Sequence, residues 1–132
     1  MENTLEMLKQ ASDGLLFMSE SDNPFATVSF SADKLPELSP EAVVTAAGKT
    51  AGTKVEKQEL DYFFRNQTRE LPEHTAEDKA RAEGFKALVA LLKSKLKDVA
   101  VYRIGERQVE AYILGKMPEG NIGGLKTLLI ET

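Results

Sequence analysis

Val99-Ala100-Val101-Tyr102-Arg103-Ile104, then Gly105-Glu106-Arg107, then Val109-Glu110-Ala111-Tyr112-Ile113-Leu114 reads as strand, tight connection and strand. β-Branched and aromatic residues fill both runs, and a glycine-led polar stretch separates them. The turn-forming Met117-Pro118-Glu119-Gly120-Asn121 then leads through Gly123-Gly124 to a last strand, Leu125 to Glu131. Three successive strands with short connections form a meander, and the rest of the chain is organised around it.

Immediately upstream, Thr75 with Asp78 three residues later has the form of a capping box, and the helix it opens continues to about Lys97. Phe85, Leu88, Val89, Leu92 and Leu96 recur at spacings of three and four, giving one apolar stripe. Lys86, Lys93, Lys95 and Lys97 mark its wet side and suit its C-terminal end. No aromatic or arginine stacking residues are interleaved with these lysines, so they read as a solvated face and not as a nucleic-acid groove.

Further back, Asp61 caps a brief helical turn carrying Tyr62, Phe63 and Phe64, which are expected to fill core, and Lys54 to Leu60 forms a short strand. Ser39-Pro40-Glu41 supplies an N-cap, a proline at the first helical position and a first-turn acid for a helix ending at Gly48. Phe25 to Phe30 alternates as a strand. A first helix covers residues 3 to 13, with Leu5, Leu8 and Ala11 near one face and Asp13-Gly14 closing it. The order is α-β-α-β-α-α-β-β-β. Helices interspersed among strands predict an α+β fold, a three-layer α/β/α sandwich on a mixed five-stranded sheet. Length and the lack of a linker or repeat make residues 1–132 one domain.

Apolar residues are 42% and charged residues 29%, so the composition is that of a globular protein and not of a disordered one. The absence of Cys and the single His, His74, argue together against disulfides, thiolate catalysis, structural zinc and a Ser-His-Asp triad. No apolar run approaches the ~20 residues of a membrane span. Met1-Glu2-Asn3 lacks the basic start of a signal peptide, so a cytoplasmic protein without a membrane partner is expected. Net charge is -4, but residues 1 to 41 carry eight acids against two bases, Lys9 and Lys34. That asymmetry favours a basic partner meeting the N-terminal third.

The acidic third contains Ser19-Glu20-Ser21-Asp22-Asn23-Pro24, placed between the apolar run Leu15-Leu16-Phe17-Met18 and the strand from Phe25. A carboxylate held between two buried segments loses much of its ordering entropy before a partner arrives, so Glu20 is built as a contact point. Catalytic readings are weaker. Glu20, Asp22 and Glu110 do not declare a shared pocket, and Ser19 to Asn23 lacks the glycine and twelfth-position Glu of a calcium loop. Gly120-Asn121-Ile122-Gly123-Gly124 joins two strands where a phosphate loop would open a helix, so its glycines read as turn residues and no cofactor is expected. At the other end, Leu128, Leu129 and Ile130 run to within two positions of the terminus, so Glu131 and Thr132 emerge from the sheet with little slack. A hydroxyl and a carboxylate on a stiff support suit a partner's Mg²⁺.

Leu8-Lys9-Gln10-Ala11-Ser12-Asp13-Gly14-Leu15-Leu16-Phe17-Met18-Ser19-Glu20-Ser21, Val101 to Glu106, Pro118-x-Gly120-Asn121 and the closing Glu131-Thr132 resemble the nuclease A inhibitor family over most of the chain. The resemblance implies an α/β/α sandwich related to the pathogenesis-related-protein fold, and a protein that blocks a Mg²⁺-dependent, sugar-nonspecific endonuclease acting on DNA and RNA. It implies that Glu20 enters the nuclease active site and faces its arginines, and that the Thr132 hydroxyl contacts the catalytic metal. Beside these two, the expected partner-binding residues are Ser21 and Asp22 in the same segment as Glu20, Glu73 and His74 ahead of the long helix, and Glu131 next to Thr132. Where the family has a tryptophan before the long helix, this chain reads Arg69-Glu70-Leu71-Pro72-Glu73-His74, with no Trp anywhere. Loss of an aromatic anchor is expected to cost on the order of 2 kcal/mol of affinity. The reading is a non-enzymatic, monomeric inhibitor that binds no nucleic acid directly. Its alternative is a small-molecule or peptide binding module on the same fold.

Overall fold

The computed structural model describes residues 4–18, 22–31, 33–35, 37–49, 52–65, 67–68, 75–118 and 120–130, with the backbone alone at Leu16, Met18 and Asp22. In chain order these form α1 (Thr4–Ser12), β1 (Leu16–Met18), β2 (Asp22–Pro24), β3 (Ala26–Phe30), α2 (Pro40–Ala46), β4 (Val55–Gln58), α3 (Leu60–Phe63), α4 (Ala76–Lys95), β5 (Lys97–Ile104), β6 (Gln108–Lys116) and β7 (Ile122–Ile130). The nine expected elements occur in the expected order. The pair β1 and β2 is additional, because two three-residue strands are too short to carry a period that could be read.

Local chemistry accounts for the helix boundaries. The Thr75 hydroxyl accepts from the Asp78 N–H at 3.2 Å and the Asp78 carboxylate accepts from the Thr75 N–H at 3.1 Å, closing the capping box at the head of α4. Ser39 caps α2 by accepting from the Ala42 N–H at 3.2 Å, with Pro40 at its first position. At the end of α4, Leu96 is already extended, so the helix is slightly shorter than its apolar stripe and Leu96 buries itself from outside it. One expectation is corrected at α3. Its N-cap is Glu59, which makes no side-chain cap, and Asp61 is inside the turn, paired at 2.7 Å with Lys93.

β3-β7-β6-β5-β4 form a five-stranded sheet in that order, and each neighbouring pair is antiparallel. The expected mixed sheet is therefore wrong. Helices between strands suggested parallel crossovers, but the chain leaves β4 at Gln58, opposite Val101 near the start of β5, and re-enters the sheet at that same end after α4. A connection that leaves and returns at one end produces an antiparallel neighbour.

Alternation along the strands gives each face its own apolar cluster. Val101, Val109, Ala111, Ile113, Leu125 and Leu129 join Leu8 of α1, Phe63 of α3 and Phe85, Leu88 and Leu92 of α4. From the opposite face, Ala100, Tyr102, Ile104, Tyr112 and Leu114 join Val43, Val44 and Ala46 of α2. Gly123 and Gly124, read as turn residues, are paired inside β7 instead. A Cβ on Gly124 would overlap the Ile113 carbonyl oxygen, so glycine there permits the close approach of β7 to β6. The turn is supplied by Gly120, whose N–H bonds the Met117 carbonyl at 2.9 Å.

Candidate functional site

β1 and β2 pair antiparallel, with Leu16 opposite Pro24, Phe17 opposite Asn23 and Met18 opposite Asp22. The stretch from Ser19 to Pro24 is therefore not one irregular elbow. Asp22 to Pro24 is a strand, and three residues connect the paired ends. Both flanks enter one aromatic cluster. Phe17 is 6% exposed, stacks on Phe63 at 4.5 Å and meets Phe25 edge-on at 6.3 Å, while Phe25 meets Phe85 at 6.1 Å. Offset and edge-on aromatic pairs add about 0.5–1.5 kcal/mol each beyond the area they bury. The support for the acidic segment is thus an aromatic core that joins β1, α3 and α4.

A second fastening joins this hairpin to the last strand. β3 runs along β7 from Phe30 opposite Ile122 back to Ala26 opposite Lys126, so the residues ahead of β3 approach the end of β7. There the chain leaves the β7 edge and β2 turns to pair with β1. Pro24 has no N–H to continue a ladder. The Thr127 hydroxyl takes over, donating to the Pro24 carbonyl at 3.0 Å, with the Asn23 carbonyl at 3.4 Å. Thr127 is 5% exposed, so this is an interior contact between β2 and β7.

The head of α4 belongs to the same end of the sheet. Lys97 pairs with Lys116 and Lys116 with Ile122, which places the start of β5 beside the start of β7. α4 stops just before β5, and its 20 residues rise about 30 Å. Thr75 therefore stands toward the end where β7 finishes.

Of the proposed site residues, Glu20, Ser21, Glu73, His74, Glu131 and Thr132 lie outside the described residues, and Asp22 is described in its backbone only. Their anchors are described: Met18 and Asp22 pair with each other, Thr75 heads the capped helix, and Ile130 pairs with Gln108.

Glu110 has a local role. It lies opposite Leu128 in the sheet and pairs with Lys49 at 2.5 Å, both side chains about one-third exposed. The hydrogen bond and charge of Glu110 raise the Lys49 pKa above the ordinary lysine value, against the smaller opposing effect of burial. A cleft of 280 Å³ between this pair and the hairpin is lined by Asn23, Pro24, Ala26, Glu110, Lys126, Thr127 and Leu128. Thr127 was not singled out from the sequence. Its signal was a hydroxyl standing in the inward-facing series Leu125, Thr127, Leu129, where a buried polar group requires a partner.

These features define an α+β protein in which a short β1–β2 hairpin, packed on an aromatic cluster, adjoins a five-stranded antiparallel sheet. The chain matches the family described as nuclease A inhibitor-like protein over residues 2–132, and it belongs to that family. Membership in an inhibitor family implies a nuclease as the partner. A comparison with curated proteins finds no match. Among the described residues, no helix is long and apolar enough to cross a membrane.

Proposed function

We propose that this protein inhibits a Mg²⁺-dependent, sugar-nonspecific endonuclease by occupying its active site. Glu20 faces the basic residues that would hold a substrate phosphate, and the Thr132 hydroxyl meets the catalytic metal. A nuclease cleft is basic and metal-bearing, so clustered oxygen ligands without a scissile bond fill it as a mimic of the substrate. Ser21, Asp22, Glu73, His74 and Glu131 complete the contact surface. In this reading the protein is a cytoplasmic monomer when free, has no catalytic activity or cofactor of its own, and uses a three-layer sandwich related to the pathogenesis-related-protein fold.

The observation that carries the proposal is the family match along residues 2–132. The reading is supported by the acidic N-terminal third, which suits a basic cleft and would steer association with it. The direct test titrates the protein into a metal-dependent nonspecific nuclease while following DNA cleavage. Activity is expected to fall to zero near one equivalent, and full cleavage at stoichiometric excess overturns the proposal.

A further inference from the structure

Two contact points act as one ligand only if their spacing is held, because each unfixed degree of freedom is paid for in binding entropy. In this chain the segment carrying Glu20 returns to the sheet through β2, and the segment carrying Thr132 leaves it from β7. These are separate elements, distant in sequence, and strand pairing does not join them: β2 pairs with β1, whereas β7 pairs with β3 and β6. A hydrogen bond joins them: the Thr127 hydroxyl, buried at 5% exposure, donates to the Pro24 carbonyl at 3.0 Å, with Asn23 O at 3.4 Å.

We infer that Thr127 is a positioning residue that ties β2 to the end of β7, the two elements from which the chain leads to Glu20 and to Thr132. The inference rests on the proposed inhibitory function for its use, but the lock itself belongs to the free protein. The ladder between β3 and β7 stops at Ala26, before the chain reaches β2, and Pro24 cannot donate a backbone bond of its own. A hydroxyl at position 127 satisfies the carbonyl oxygen at the point where the chain peels away from the sheet edge, and it does so without adding a flexible side chain.

The test compares Thr127→Val, which keeps the branched shape and removes the donor, with Thr127→Ser, which keeps the donor. In the free protein, amide hydrogen exchange across residues 16–24 is expected to accelerate in T127V and to stay near wild type in T127S. Against a nuclease that the wild type inhibits, T127V is expected to lose about tenfold in affinity, with T127S restoring most of it. A purely structural role would lower stability without altering how the two contacts cooperate, so the decisive readout is their coupling. In the wild-type background the losses from Glu20→Ala and from removal of Thr132 combine to less than their product. In T127V they multiply as independent losses.

Unchanged exchange in T127V overturns the lock. Changed exchange, with unaltered inhibition and unaltered coupling, overturns its use in positioning. A wild-type protein that inhibits no nuclease fails the functional reading, and the exchange measurement still decides the lock.

Discussion

Phe17 and Phe63 stack with ring centroids 4.5 Å apart and planes 17° from parallel. Phe17 lies in β1, opposite Asn23 of β2, and Phe63 closes α3. The stack therefore joins the hairpin before the main sheet to the short helix before α4, and Phe64 meets both rings edge-on at 5.9 and 5.1 Å. The strand leading into the acidic segment is thus fastened by core aromatics, Phe17, Phe63 and Phe64, that lie away from the surface.

Phe17→Ala is expected to destabilise the protein by about 3–4 kcal/mol, and Phe17→Leu by much less, because the first leaves a ring-sized cavity among packed aromatics. Urea unfolding checks this. A lower midpoint at unchanged slope is the expected result, and an F17A midpoint at the wild-type value contradicts the packing described.

Tyr102 is fully buried, and its hydroxyl has no hydrogen-bond partner among the described residues. Tyr102→Phe removes that unsatisfied group without emptying the site, so stability is expected to be unchanged or to rise by up to about 1 kcal/mol. Thermal unfolding at neutral pH reads the sign, and a loss above that margin shows that the hydroxyl is bonded.

Alkaline pH provides a separate test. Burial raises the pKa of Tyr102 and of Tyr112, and Glu110 raises that of Lys49. In each case the folded state holds its proton more tightly than the unfolded chain does. Their stabilisation is complete below the unfolded values, near 10 for tyrosine and slightly higher for lysine, and is lost as pH rises through the folded values. Stability is expected to be flat to about pH 9 and to fall above pH 10, less steeply in Tyr102→Phe. Unfolding curves from pH 7 to 11 check the slope, and a rise above pH 10 contradicts the signs given.

Gly124→Ala places a Cβ on the Ile113 carbonyl oxygen. Backbone on a paired strand cannot yield as a flexible side chain does, so the expected cost is about 3 kcal/mol or more. Equilibrium unfolding measures it, and a near-neutral substitution rules out the close approach of β6 and β7.

Glu20→Ala and removal of Thr132 probe the proposed contact points directly. Each is expected to leave the unfolding midpoint in place. Glu20→Ala is expected to weaken inhibition about thirtyfold or more, as truncating one side of a desolvated charge pair does. Removing Thr132 is expected to weaken binding in Mg²⁺ and to have little effect on a metal-free nuclease. Equal potency of both variants and the wild type removes these residues from the site.

Local signals were read correctly because they are local. The capping pair Thr75 and Asp78, the Ser39-Pro40 start of α2, the positive-φ Gly14 and Gly48 that close α1 and α2, and the stripe Phe85, Leu88, Val89, Leu92 each express an interaction within a few residues. The misreadings lie where the partner is distant. Asp61 looked like a cap and is paired with Lys93, while Gly123 and Gly124 looked like a turn and make room for a neighbouring strand. The proposed contact residues were named from the resemblance, and the described residues supply their supports alone.

By itself, the sequence determined the kind and order of the main elements, the meander from β5 to β7 and the family, since periodicity, capping and motif are properties of adjacent residues. Tertiary structure decided that every sheet neighbour is antiparallel, that the acidic segment is flanked by a paired hairpin, and that Thr127 reaches Pro24 across 103 positions of chain. Those relationships depend on which end of the sheet each connection returns to and on which buried hydroxyl meets which unpaired carbonyl. No window of neighbouring residues contains that information.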